Sequence, residues 1–144
     1  MATGKMIETA GGSLAAQRNM KKPPVLVVDD FASMRNVVIA VLKRAGFTDF
    51  LQAGNGITAL QCLAANPKIG FVISDWYMPE MDGLQLLQAI KADPKTQSIP
   101  VLMLTAEGLQ LNVLTAVQSG AAAYLVKPFS PAALEERVRA LFPG

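Results

Sequence analysis

The chain has 144 residues, with 13 Lys and Arg against 11 Asp and Glu, no His and a single Cys, for a formal charge of +2. That length suits one domain with a substantial core. One Cys excludes an internal disulfide, and the lack of His excludes histidine metal sites, His-based triads and phosphohistidine chemistry within the chain.

No apolar run approaches the roughly 18 residues of a membrane span, and residues 1–24 lack the apolar block of a signal peptide. A soluble, cytoplasmic protein without a membrane span is therefore expected. The first 24 residues hold Lys5, Arg18, Lys21 and Lys22 against Glu8 alone, a charge of +3. The remaining nine basic and ten acidic residues leave −1. Rich in Gly, Ala, Ser and Thr and without periodicity, residues 1–24 are expected to form a flexible tail ahead of one domain over 25–144. Any attraction to an acidic or nucleic-acid partner thus belongs to the tail.

Val25-Leu26-Val27-Val28 reads as a strand buried on both faces. Met34, Val37, Val38, Val41 and Leu42 recur at helical spacing over 33–45, and Gly46 is the stop. A second strand over 50–53 precedes a helix over 56–65. A third strand over 71–74 is followed by a helix carrying Leu84, Leu86, Leu87 and Ile90 that ends before Pro94. The fourth pair is a strand over 101–104 with a helix over 109–118; the fifth is a strand over 123–126 with a helix over 131–141, where Pro131 suits the first turn. Five strands alternating with five helices imply right-handed βαβ units around a parallel sheet. In such a sheet the ligand site lies beyond the carboxyl ends of the strands.

Asp29-Asp30 stands at the end of the first strand, Asp75 at the third, Thr105 at the fourth and Lys127 at the fifth. Two unit charges 4 Å apart interact by about 4 kcal/mol at an effective dielectric near 20. Three clustered carboxylates therefore call for a cation, and an all-oxygen, partly hydrated site suits Mg²⁺. Any one strand-end Asp is equally explained as a helix cap or turn former. That alternative leaves the convergence of all three with Thr105 and Lys127 unexplained.

The stretches VLVVDDFASMR, FVISDWYMPEMDG, VLMLTAE and YLVKPF, in this order, resemble the response-regulator receiver domains, and among them the chemotaxis regulators. The resemblance implies a flavodoxin-like fold with a doubly wound five-stranded parallel sheet in the order 2-1-3-4-5. It makes Asp75 the phosphoacceptor, taking its phosphoryl group from a histidine kinase or phosphotransfer protein. It assigns Mg²⁺ to Asp30, Asp75 and the Tyr77 carbonyl, with Asp29 acting largely through water. Thr105, Ala106 and Lys127 would contact phosphate, and the Lys127–Pro128 peptide would be cis. Tyr124 would be the switch, reporting to a surface of the fourth helix, fifth strand and fifth helix that a phosphorylation-dependent protein target reads. The flagellar motor switch is one such target. The implied protein is a monomer without a DNA-binding domain, a signalling protein that catalyses only its own phosphorylation and dephosphorylation. A phosphate sink or relay receiver without its own target is the alternative.

Tyr77 stands where chemotaxis members carry Asn, and with Glu107, which matches them, is expected to tune dephosphorylation. Gly108, Leu109 and Gln110 replace a lysine-bearing loop, which points to a more apolar partner or to drift on a solvated helix start. One competing signal is Gly54-Asn55-Gly56-Ile57-Thr58-Ala59, a G-x-G-x-x-A between strand and helix with Asp75 about 20 residues on, the dinucleotide fingerprint. The simpler expectation is a turn needing positive φ at Gly54 or Gly56. Cys62, beside Leu60 and Leu63, reads as packing.

Overall fold

Each residue of the strand β1 (Val25–Val28) is buried, because β1 lies inside the sheet with a neighbour on either side. The structure, a computed structural model, describes residues 22–106 and 110–144, with no side-chain description for 110–112. In chain order the other elements are α1 (Ala32–Arg44), β2 (Phe50–Ala53), α2 (Gly56–Ala65), β3 (Phe71–Asp75), α3 (Gly83–Ala92), β4 (Val101–Ala106), α4 (Gln110–Gln118), β5 (Ala123–Lys127) and α5 (Pro131–Leu141). All strand pairs are parallel, in the order β2-β1-β3-β4-β5, so the expected topology is the observed one.

Alternation along the strands builds two cores. Val25, Val27, Phe71, Ile73, Leu102 and Leu104 face α1 and α5, meeting Val38, Leu42, Leu134 and Val138. Leu26, Val28, Val72, Val101 and Met103 face the opposite way, against Ala59 of α2, Leu86 and Ile90 of α3, and Ala116 of α4. Covering both faces is what a parallel sheet requires, and it explains the unbroken apolar runs.

Three strands run past those runs. β3 extends to Asp75, β4 to Ala106 and β5 to Lys127, because ladder pairing follows the backbone and not side-chain polarity: Asp75 pairs with Leu104, and Ala106 with Lys127. Asp75, Thr105 and Lys127 are thereby part of the sheet. Helices begin where side chains satisfy free N–H groups. Asn55 accepts from Thr58 N, Ser130 accepts from Ala133 N, and Asp82 forms a reciprocal capping box with Gln85. α1 differs: its N-cap is Phe31, with no side-chain cap.

The expectation of positive φ at Gly54 or Gly56 is corrected. Neither glycine has it; among the described residues positive φ occurs at Gly46 (100°) and Gly120 (99°), each just beyond a helix, and at Glu80 and Gly144. Gly56 is needed for space, since a Cβ there would collide with the Met81 side chain. Lys22, Pro23 and Pro24, the end of the segment read as a tail, lie against the domain. Lys22 Nζ donates to the Phe142 carbonyl at 3.0 Å, and the Pro24 carbonyl accepts from Gly70 N at 3.0 Å.

Candidate functional site

The carboxyl ends of β1, β3 and β5 bring together the acids and the ammonium singled out in the sequence. Asp29 is buried just beyond β1, its N–H donating to the Ala53 carbonyl at 3.1 Å. Asp30 follows it and is exposed, and Asp75 is the buried last residue of β3. One carboxylate oxygen from each lies within 4.8 Å of the others. Lys127 Nζ reaches Asp75 Oδ1 at 3.0 Å and Asp29 Oδ2 at 3.3 Å.

Three carboxylates against one ammonium leave a formal −2 in a cluster of which two acids are buried. Burial pushes the Asp75 carboxyl above its ordinary value; Lys127 pulls it back, the neighbouring Asp29 adds to the rise, and the Trp76 N–H lowers it slightly. The residual charge, the all-oxygen donors and the exposed Asp30 fit a divalent cation of the Mg²⁺ type.

The capping explanation accounts for little of this. Asp29 Oδ1 accepts from Phe31 N at 2.9 Å, a local turn contact, yet α1 has no side-chain cap. Asp75 Oδ1 accepts from Trp76 N at 2.9 Å. The dinucleotide reading fails on topology. A ribose-binding acid belongs on the strand beside the glycine-rich turn, whereas β1 separates β2 from β3.

Thr105, on β4 one residue beyond the register partner of Asp75, is fully buried. Among the described residues its Oγ1 has no hydrogen-bond partner. Ala106 beside it is exposed, and the Lys127–Pro128 peptide is cis. Tyr124 is half-buried on β5, paired with Met103, and its carbonyl accepts from Arg137 Nε at 3.1 Å. Tyr77, two residues past Asp75, is 54% exposed, with its ring 6.4 Å from that of Trp76. Glu107, Gly108 and Leu109 lie outside the described residues.

Two contributors, Gly83 and Arg35, close two of the quoted stretches, but the sequence reading gave neither a role. A Cβ at Gly83 would overlap the Asp75 carbonyl, and Gly83 N donates to the Trp76 carbonyl at 2.7 Å, so α3 starts directly against the end of β3. Arg35 of α1 donates to the Asp29 carbonyl from Nη1 at 2.6 Å and to Gln52 Oε1 from Nε at 2.8 Å. A lone Arg on a helix has many possible partners, and its spacing names none of them.

The family model described as the response regulator receiver domain matches residues 25–139. The chain belongs to the response-regulator receiver family. It is 42% identical over 114 residues to the chemotaxis protein CheY1 of Helicobacter pylori, covering 79% of this chain and 92% of that protein. It is 40% identical to a CheY homolog of Campylobacter jejuni, covering 79% and 88% respectively. Among solved structures, the chemotaxis response regulator CheY4 of Vibrio cholerae aligns with a TM-score of 0.75 at 32% identity, over 84% of this chain and 99% of that one. A CheX–CheY complex with BeF3 and Mg²⁺ from Borrelia burgdorferi aligns with a TM-score of 0.78 at 29% identity, over 86% and 92%. The chain is therefore a CheY-like response regulator, a signalling receiver whose acidic cluster fits a phosphorylation site.

Proposed function

We propose that this receiver accepts a phosphoryl group on Asp75 from the phosphohistidine of a separate kinase or phosphotransfer protein. The observation that carries this reading is the buried Asp75 carboxylate at hydrogen-bond distance from Lys127, in a cluster left at −2. With no His in the chain, the donor is external. An Asp75 oxygen attacks phosphorus; the new P–O bond forms as the P–N bond breaks, and the electron pair stays on the imidazole nitrogen.

Asp30, Asp75 and the Tyr77 carbonyl would hold Mg²⁺, with Asp29 contributing through water. When bound, the cation supplies charge neutralisation for the transferring phosphoryl oxygens. Lys127 serves the same oxygens as a point charge. The test is incubation with a phosphohistidine-bearing phosphotransfer protein and Mg²⁺: label moves to the wild-type chain and not to Asp75→Asn. Failure of the wild type to accept label from several such donors would overturn the proposal.

Output follows from new charge beside a buried hydroxyl. A phosphoryl group adds strong acceptor oxygens, and the unpartnered Thr105 Oγ1 is the donor in the sheet with most to gain from one. Movement of Thr105 changes the space next to β5, where Tyr124 re-packs and alters the surface of α4, β5 and α5. Both arrangements exist beforehand and phosphorylation shifts their populations. Thr105→Val removes a buried, unsatisfied hydroxyl, so the unphosphorylated protein gains up to about 1 kcal/mol in thermal unfolding. The same variant loses the change in Tyr124 ring resonances on phosphorylation.

Relatives at 40–42% identity are chemotaxis proteins, which favours motility signalling by a cytoplasmic monomer, with a motor-switch or CheX-type protein as target. Tyr77 modifies the lifetime of the signal, since its ring stands beside the acyl phosphate where water must approach. Tyr77→Asn shortens the phosphorylated state by about tenfold, roughly 1.4 kcal/mol of barrier. Decay followed by intact mass measures this, and equal lifetimes would remove Tyr77 from the account.

A further inference from the structure

We propose that Arg35 is a positioning residue for the carboxylate rim: its guanidinium holds the Asp29 carbonyl while Gln52 of β2 fixes the guanidinium. This rests on the reading of Asp29, Asp30 and Asp75 as a cation site.

The loop between β1 and α1 supplies two of the three acids, and it enters a helix with no side-chain cap. Such a loop keeps freedom unless something else fixes it, and α2, α3 and α5 all have the cap that α1 lacks. Arg35, half-buried a turn into α1, fills that place from the helix side. Nη1 meets the Asp29 carbonyl at 2.6 Å, a short charge-assisted bond, and Nε meets Gln52 Oε1 at 2.8 Å. The planar fork spans two acceptors on two elements, which the single ammonium of Lys cannot reproduce. Asp29 is then fixed through four of its atoms, with its N–H on the Ala53 carbonyl, Phe31 N on Oδ1 and Lys127 on Oδ2 beside Arg35 on its carbonyl. Asp30, next in the chain, takes its position from that anchor. Outer contacts of this sort typically change metal affinity by about 10–100-fold.

Charge alone predicts the opposite sign. A guanidinium near three carboxylates repels an incoming cation, so deleting it for electrostatic reasons would tighten binding. A positioning role weakens binding when the hold is lost, whether or not the charge remains.

Trp76, the single Trp, is buried next to Asp75, and its backbone N–H donates to that carboxylate, so the indole lies close enough for its fluorescence to report occupancy of the rim. The full chain is titrated with MgCl2 as parent, Arg35→Ala, Arg35→Lys, Gln52→Leu and Gln52→Glu, with circular dichroism on each. Arg35→Ala and Arg35→Lys are both expected to raise the Kd by about tenfold or more. Gln52→Leu raises it less, and Gln52→Glu, which keeps the acceptor, stays near the parent. An Arg35→Ala variant that folds and binds Mg²⁺ as tightly as the parent, or more tightly, overturns the proposal. Should Arg35→Ala not fold, Gln52→Leu on the exposed edge strand decides, and an unchanged Kd overturns it. A parent that itself shows no saturable response to Mg²⁺ overturns the cation-site reading and this inference together, a result distinct from unchanged variants.

Discussion

Incubated with Mg²⁺ and a small phosphodonor such as acetyl phosphate, the chain is expected to gain the mass of one phosphoryl group, and Asp75→Asn to gain none. Three carboxylates compete for the role of nucleophile, and their surroundings separate them. Asp29 has both oxygens engaged, Oδ1 by Phe31 N and Oδ2 by Lys127. Asp30 is exposed, and water screens it from any fixed electrostatic help. On Asp75 the Trp76 N–H and Lys127 Nζ both fall on Oδ1, which leaves Oδ2 to attack. Asp75 is also held on both sides, by its ladder pairing with Leu104 and by Gly83 packed against its carbonyl. An attacking atom fixed in this way removes most of the orientational cost of the reaction. Lys127→Met keeps the nucleophile and removes a charge aimed at the phosphoryl oxygens, and it is expected to slow labelling by about 100-fold or more. Intact-mass spectra over time give both results. Label retained by Asp75→Asn at a second carboxylate would show that the rim, and not one residue of it, carries the reactivity.

The topology and the rim were legible because both depend on strand ends. An apolar run bounded by Asp, Thr or Lys marks where a strand leaves the core, so Asp29, Asp75, Thr105 and Lys127 could be placed at one edge before any coordinate was known. The apolar runs ended one or two residues early at β3, β4 and β5, since hydropathy stops at the first polar side chain while the backbone ladder continues. What could not be read were contacts set by approach distance. Positive φ was expected at Gly54 or Gly56, neither has it, and Gly56 instead makes room for Met81; Gly83 closes a quoted stretch but was given no role, although it seats α3 on the Asp75 carbonyl. The partner of Arg35 was equally illegible, because the carbonyl it binds belongs to the backbone, which is the same in every sequence. The capping alternative could be set aside only from coordinates that show α1 without a side-chain cap.

Divalent cation should raise the melting temperature, and Asp75→Asn should raise it in chelator. The two effects share a cause. A cluster left at −2 with two buried acids stores repulsion in the folded state that the unfolded chain does not have. A cation that binds the folded state alone contributes about 2.7 kcal/mol when present at 100 times its dissociation constant, and chelation removes all of it. Without metal, the raised Asp75 pKa has a definite sign. The folded state binds this proton more tightly than the unfolded chain does, so stability falls as pH climbs from the ordinary value of 3.8 up through the raised one. The penalty is present above the raised pKa and vanishes well below 3.8, where both states are protonated. Asp75→Asn is uncharged throughout, so its advantage over the parent in chelator should be largest at pH 7 and shrink on acidification. Added Mg²⁺ should reverse the order at neutral pH, since the parent gains a ligand that the variant binds poorly. Melting curves at pH 7 and pH 4, each with chelator and with Mg²⁺, measure all of these signs at once. A parent whose melting temperature ignores Mg²⁺ at pH 7 would mean that Lys127 already compensates the three carboxylates, and the cation would then have no electrostatic reason to bind.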